Sequence, residues 1–398
     1  MKVMNHRLRG HQHRSPRVGL HILLAMTVVR SLAGSLVPGS PPWTAPAGAS
    51  ASQVELKGLD TQPGDEFAYF TAISGGTILI GAPYHPNGGR AYVFTRSEHG
   101  WRQVAMLKGK DTANGDVFGV DGKIDGNEMI VGADQAHQTG AAYIFVKTSN
   151  GWQQTAELRA PDATAGNHYA LSVAISGSNA IVSTENDDHA YIYHHTGSRW
   201  IQTAELTGSD TQPGDEFGFW VDIDGTTAVV GADQHGGGAI YIFNLTESRW
   251  TQTAELVGSD VVAGAHFGQN LAISGHAIVV NAPYMYSSAG RVYVFSRVSG
   301  GWRQTAELKA ADGQPGNWFG WYVSISGAQL VAGGIKTPGG GAAYVFTQAG
   351  GRWTQTTELK GQDRVSGDWL GAATGVSGST VVAGAYGHQG GRAYVFSL

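Results

Sequence analysis

Residues Thr207–Leu256 read TGSDTQPGDEFGFWVDIDGTTAVVGADQHGGGAIYIFNLTESRWTQTAEL, and nearly everything after residue 50 repeats this pattern. Four runs rich in β-branched and aromatic residues, FGFWVDI, TAVVGA, AIYIF and WTQTAEL, are separated by Gly, Asp and Ser clusters that mark turns. The spacing predicts one four-stranded antiparallel sheet. Such a sheet has two apolar faces and nothing to bury them against, so it requires neighbours of its own kind.

Those neighbours are visible outward in both directions. A tryptophan opening the fourth strand recurs at Trp101, Trp152, Trp200, Trp250, Trp302 and Trp353, with spacings of 51, 48, 50, 52 and 51 residues. A period of about 50 residues with four strands per unit is propeller spacing. First strands open at Phe67, Phe118, Tyr169, Phe217, Phe267, Phe319 and Leu370, which makes seven units. The fourth-strand motif appears with its tryptophan only six times, and Ser52-Gln53-Val54-Glu55-Leu56 aligns with the missing copy. The expected fold is therefore all-β: a seven-bladed β-propeller of four-stranded antiparallel blades over residues 52–398, with strand 52–56 completing blade 7. Closure of this kind removes the open edges an unclosed array would leave.

Composition agrees. Charged residues are 14% of the chain, against about 25% in an average soluble protein. The 59 glycines suit short strands and tight turns. With no cysteine, disulfides and thiolate metal sites are excluded. Residues 1–51 differ in kind: six basic residues and no acid are followed by the apolar run Val18–Val29, a Pro/Ala-rich stretch and Ala49-Ser50-Ala51. This is the layout of a signal peptide, with cleavage expected before Ser52. The apolar run is too short for a membrane span, which needs about 20 residues, so no span is expected in the mature chain. An uncleaved anchor is the competing reading. Residues 52–398 carry 20 basic against 31 acidic residues, a net charge of −11 that argues against a nucleic-acid partner.

Phe118-Gly119, Phe217-Gly218, Phe267-Gly268 and Phe319-Gly320, with Gly81-Ala82-Pro83 and its variants Gly132-Ala133-Asp134, Gly231-Ala232-Asp233 and Asn281-Ala282-Pro283, resemble the FG-GAP repeat. That family includes the propeller of integrin α-chains and related bacterial secreted proteins. The resemblance covers the whole expected mature chain and implies a secreted or surface-displayed protein. Blade 3 departs most, with Tyr169-Ala170 and Ser183-Thr184-Glu185 in the two signature positions.

The resemblance also implies calcium in a long acidic loop between first and second strands, because Ca²⁺ needs six to eight oxygens. Here that connection is a tight hairpin in every blade, and only Asp222-Ile223-Asp224-Gly225 resembles a remnant. A second recurrent acid lies in the loop leading into each first strand, at Asp60, Asp111, Asp162, Asp210, Asp260, Asp312 and Asp363. Two readings stand. Short Asx side chains fix their own loop backbone, or paired acids such as Asp60, Asp65 and Glu66, or Asp210, Asp215 and Glu216, hold a cation or ligand. No cofactor is expected, and calcium at these acids is the one exception with candidate ligands.

Antiparallel connectivity places the lead-in loops and the second-to-third strand loops on one face, opposite the hairpins. Variation concentrates there, and a rigid scaffold carrying variable loops is the usual layout of a binding surface. The candidate ligand-binding residues are Tyr84, His168, Trp220, His235, His266, Tyr284, Trp318, Trp321 and Trp369. Their rings would stack on sugars or anchor a protein contact, although packing between blades is the plainer role for those inside strands. Trp318 and Trp369, which precede their strands, are expected to be the more exposed. No catalytic motif is present. The expected function is a binding or adhesion module for an extracellular protein or glycan. A multivalent lectin with sugar pockets between blades, and a hydrolase or lyase with its site at the central channel, are the alternatives.

Overall fold

A computed structural model describes residues 52–398 apart from residues 163 and 186, and the expected leader, 1–51, lies outside the described residues. Seven four-stranded antiparallel sheets follow one another along the chain. In blade 4 the strands are Phe217–Asp224, Thr227–Ala232, Ala239–Thr246 and Arg249–Leu256, each hydrogen-bonded to the next in order. First strands of successive blades pack against each other around the axis, and that of blade 7 packs against that of blade 1. The ring is closed by Ser52–Leu56, which pairs antiparallel with Arg392–Ser397 in the register Ser52↔Ser397 to Leu56↔Ala393.

The repeated residues form this ring for identifiable reasons. In blade 4 Phe217 lies edge-on to Tyr241 and Phe243, with centroids 5.4 and 6.2 Å away. The same triple recurs around Phe67, Phe118, Phe267 and Phe319. Burying each such phenylalanine contributes about 1.5–3 kcal/mol, and edge-to-face geometry adds to it. The glycines of the two signature elements serve the seam between blades. A Cβ on Gly231 would stand 2.2 Å from the carbonyl oxygen of Gly268 in blade 5, and Gly268 itself has φ +90°. Only glycine permits that approach and that backbone.

Among the described residues, hydrogen bonds at the hairpin face tie blade to blade at six of the seven seams. The residue ending one first strand accepts from the hairpin glycine of the following blade: Gly177 N to Asp125 Oδ2 at 2.8 Å, Gly225 N to Ser176 Oγ at 3.0 Å, and Gly275 N to Asp224 Oδ2 at 2.5 Å. Gly75 N of blade 1 donates to Ser377 Oγ of blade 7 at 3.1 Å, so the latch runs through the closure.

Candidate binding face

Each first strand is preceded by one residue in a left-handed conformation. These are Glu66, Val117, His168, Glu216, His266, Trp318 and Trp369, with φ between +51° and +62°. Non-glycine residues avoid this region, β-branched valine most of all, so seven occurrences at one structural position reflect a constraint of the fold. The turn delivers the chain from the lead-in loop into the strand, and it sets these seven side chains around the inner rim of the loop-rich face. The residue that follows each is Phe, Tyr or Leu, while they read Glu, Val, His, Glu, His, Trp and Trp.

From these positions an aromatic arc builds up across blades 5, 6, 7 and 1. The His266 ring lies 4.8 Å from Tyr284, Tyr284 lies 5.8 Å from Trp318, and Trp318 stacks on Trp321 at 5.3 Å. Lys336 Nζ sits 5.5 Å from the centroid of Trp318 and 4.8 Å from that of Trp369, a cation–π bridge between two blades. Trp369 meets Tyr386, Tyr386 meets Tyr69, and Tyr69 meets Tyr84, at 5.4, 5.4 and 6.3 Å. Burial beside these tyrosines pushes the Glu66 carboxyl up to about 7. Val117, Val120 and Leu171 form an apolar cluster joined by Tyr69, Tyr84 and Phe219. His168 Nδ1 and His266 Nδ1 lie 2.9 Å from Asp134 Oδ2 and Asp233 Oδ2 respectively, so both imidazoles are held in place.

The predicted residues therefore divide into three places. Tyr84, His168, His266, Tyr284, Trp318, Trp321 and Trp369 lie around the inner rim. Trp220 instead lines the central channel, edge-on to Tyr322 at 5.4 Å. His235 stands in the loop after the second strand of blade 4, bonded to Asp215 and near Asp210. The expected exposure of Trp318 is not observed. It is 8% exposed because Trp321 covers one face and Tyr284 and Lys336 pack around it, while Trp369 is half-buried. The sequence did not single out Tyr69, Tyr386 or Lys336, and it offered Glu66 as a cation or ligand group beside Asp60 and Asp65 rather than as part of this rim. The signal for Glu66 was its place immediately before the first-strand phenylalanine, where the copies carry four residue types, and that for Tyr69 was the position two after the phenylalanine, where all seven copies differ.

The channel itself holds a cavity of about 110 Å³. Asp121, Lys123, Trp220, Tyr322, Ser324 and Thr374 contribute to its wall. Lys123 Nζ reaches across to Asp222 Oδ1 at 2.9 Å. Burial raises the Asp121 carboxyl to about 7, even though it accepts the Val173 amide at 2.9 Å.

The recurrent acids of the lead-in loops divide their work. The second one fixes the loop backbone: Gln62 N donates to Asp65 Oδ2 at 2.8 Å and Gln212 N to Asp215 Oδ2 at 2.7 Å. The first accepts the hydroxyl of the third-strand tyrosine, as in Tyr92 to Asp60 and Tyr241 to Asp210, both at 2.8 Å. At the hairpin remnant of the family's calcium loop the donors are already committed. Asp222 is buried, holds Lys123 and accepts the Ile273 amide, and Asp224 accepts the Gly275 amide. The residues present there do not fit that calcium site.

The FG-GAP repeat profile matches residues 51–94, 101–145, 152–197, 200–243, 250–295, 302–346 and 353–396. The chain belongs to the FG-GAP repeat family. In this FG-GAP protein the seven matched segments correspond to the seven repeats counted from the sequence. No curated protein shows significant sequence similarity. Among solved structures the fold is similar to the RRP9 WD40 repeats, with a TM-score of 0.60, 13% identity, and coverage of 89% of this chain and 99% of that one. It is similar to a chain of the mitotic checkpoint complex, with a TM-score of 0.58, 10% identity, and coverage of 93% and 99%. A protein from Lactobacillus plantarum aligns with a TM-score of 0.51, 13% identity, and coverage of 75% and 85%. At these identities the likeness concerns the fold alone. Among the described residues no helix is long and apolar enough to cross a membrane.

Proposed function

We propose that this FG-GAP protein is a recognition module that acts outside the cell and binds a protein partner on the inner rim of its loop-rich face, without catalysing a reaction. One observation carries the reading: the seven left-handed positions that encircle the rim are also where the repeats differ. The scaffold is held constant while the rim is varied, which is how a binding surface is built on a rigid fold. Tyr, Trp and a cation gathered in one place have the composition of an interface hot spot. The expected leader and the family membership support the extracellular placement.

A protein partner is favoured over a glycan because the arc offers ring edges more than open faces. Trp318 is stacked on Trp321, and Trp369 carries Lys336 over its ring. A sugar stacks on an uncovered face. The test compares the full chain with Tyr386→Ala and Trp369→Ala in a binding screen against surface proteins and on a glycan array. Each substitution is expected to weaken a specific protein interaction at least tenfold, with the melting temperature showing the ring intact. Specific binding confined to the array, or turnover of a hydrolase or lyase substrate, would replace this reading.

A further inference from the structure

The outer strand of six blades carries one glutamate: Glu55, Glu157, Glu205, Glu255, Glu307 and Glu358. Four of them pair with an arginine or lysine of the chain and one with a histidine. Glu55 pairs with Arg392, Glu157 with Arg159, Glu205 with His189 at 3.2 Å, Glu307 with Arg291 at 2.8 Å, and Glu358 with Lys360 at 2.6 Å. Among the described residues Glu255 has no such ion pair.

Blade 2 shows what the position accommodates. There Asp111, His137 and Glu157 converge, with His137 Nε2 3.0 Å from Asp111 and 3.4 Å from Glu157. The Arg159 guanidinium occupies the gap: it is 3.4 Å from Asp111, paired with Glu157, and its Nη2 lies 2.5 Å from His137 Nε2. A cation thus faces the lone pair of Nε2, the atom through which a histidine would ligate a metal.

Blade 4 has the same three groups, Asp210, His235 and Glu255, with their donor atoms within 4.8 Å of one another. The residue matching Arg159 is Val257, which is exposed and brings no charge. His235 Nδ1 lies 2.8 Å from Asp215 Oδ2, and Asp215 is itself fixed by the Gln212 amide. A carboxylate on Nδ1 fixes the tautomer that leaves Nε2 as a donor for metal, the arrangement seen behind most histidine ligands. Donors around a tetrahedral metal at about 2.1 Å stand about 3.4 Å apart, so the three side chains need to draw together by up to about 1.4 Å to complete the shell.

We propose that His235 Nε2, Asp210 and Glu255 form a binding site for one divalent transition-metal ion on the rim of blade 4, with Asp215 orienting the histidine. One imidazole and two carboxylates suit Zn²⁺, with water in the remaining position. Among the described residues only blade 2 brings the same three donors within 4.8 Å of one another, and there Arg159 fills the gap. Blade 1 has Met106 in place of the glutamate, and in blade 7 Arg392 holds Glu55 beside His388.

The probe is Zn²⁺ alone, titrated calorimetrically into chelator-treated full chain at tens of micromolar. The zinc count is expected to fall by one per chain in His235→Gln, in Glu255→Gln and in Val257→Arg. The last variant installs the blade 2 guanidinium, and its melting temperature in chelator should match wild type. A count unchanged in all three variants, or no zinc bound by wild type, overturns the proposal.

Discussion

A single pair of hydroxyls explains why blade 3 departs from its siblings. Tyr169 stands where five blades have phenylalanine, and Tyr193 stands where the others end their Tyr-hydrophobic-aromatic core in phenylalanine. The Tyr169 hydroxyl donates to the Tyr193 hydroxyl at 2.8 Å, and the latter donates to the Arg159 carbonyl at 2.9 Å. Both rings are buried, so the Tyr169 hydroxyl is tolerated because Tyr193 accepts it, and the Tyr193 hydroxyl because the Arg159 carbonyl does. Tyr193→Phe leaves the Tyr169 donor without an acceptor and should cost about 1–3 kcal/mol. Tyr169→Phe with Tyr193→Phe restores the sibling pattern and should cost much less than Tyr193→Phe alone. Urea melts of the single and double variants check this, and additive losses would refute the coupling. The sequence showed the two departures but not their connection, because 24 residues separate them and only the register brings them together.

At the scale of strands, the hairpin turns Ser-Gly and Asp-Gly read as turn formers, and they are. Their side chains also latch blade to blade at six of the seven seams, a role invisible without the ring since it joins residues 49 to 53 apart, and 302 apart at the closure. The closing strand was legible from the missing seventh copy of the Trp motif. Its pairing with Arg392–Ser397 is regular, whereas the corresponding pairing in blades 1–6 carries a register shift. Glu55 adds an ion pair with Arg392. Deleting residues 52–56 exposes the edge of Arg392–Ser397 and uncovers one side of blade 7. The melting temperature should fall by many degrees and the protein should self-associate, measured by calorimetry and light scattering. An unchanged melt would show that the strand is dispensable.

For the whole molecule, the ring converts local repeats into a channel whose electrostatics no single repeat encodes. Asp121 of blade 2 accepts an amide of blade 3 and shares the channel with Lys123, Asp222 of blade 4 and Tyr322 of blade 6. Its carboxyl titrates near 7 in the fold, above the ordinary 3.8, because it is buried. The folded state therefore holds a proton that the unfolded chain releases, so stability falls as pH rises from about 4 to about 7. The shift corresponds to about 4 kcal/mol across that window. Asp121→Asn should flatten the decline in melting temperature between pH 5 and pH 8, and identical slopes in the two proteins would assign it elsewhere. The fold was readable because its signal repeats seven times. The rim was only half readable, because convergence of Glu66, Lys336 and Tyr386 depends on which blades are neighbours.

Ring closure also imposes an order in time. Ser52 is made 345 residues before Ser397, its partner. At ribosomal rates of about 5–20 residues per second, this strand waits roughly 20–70 s before its sheet exists. Blades 1–6 can assemble as they appear, but blade 7 cannot. The molecule therefore reaches its locked state in one late step, and a chain interrupted in synthesis or transport is left with an unpaired β-edge by which it can be distinguished from a finished one.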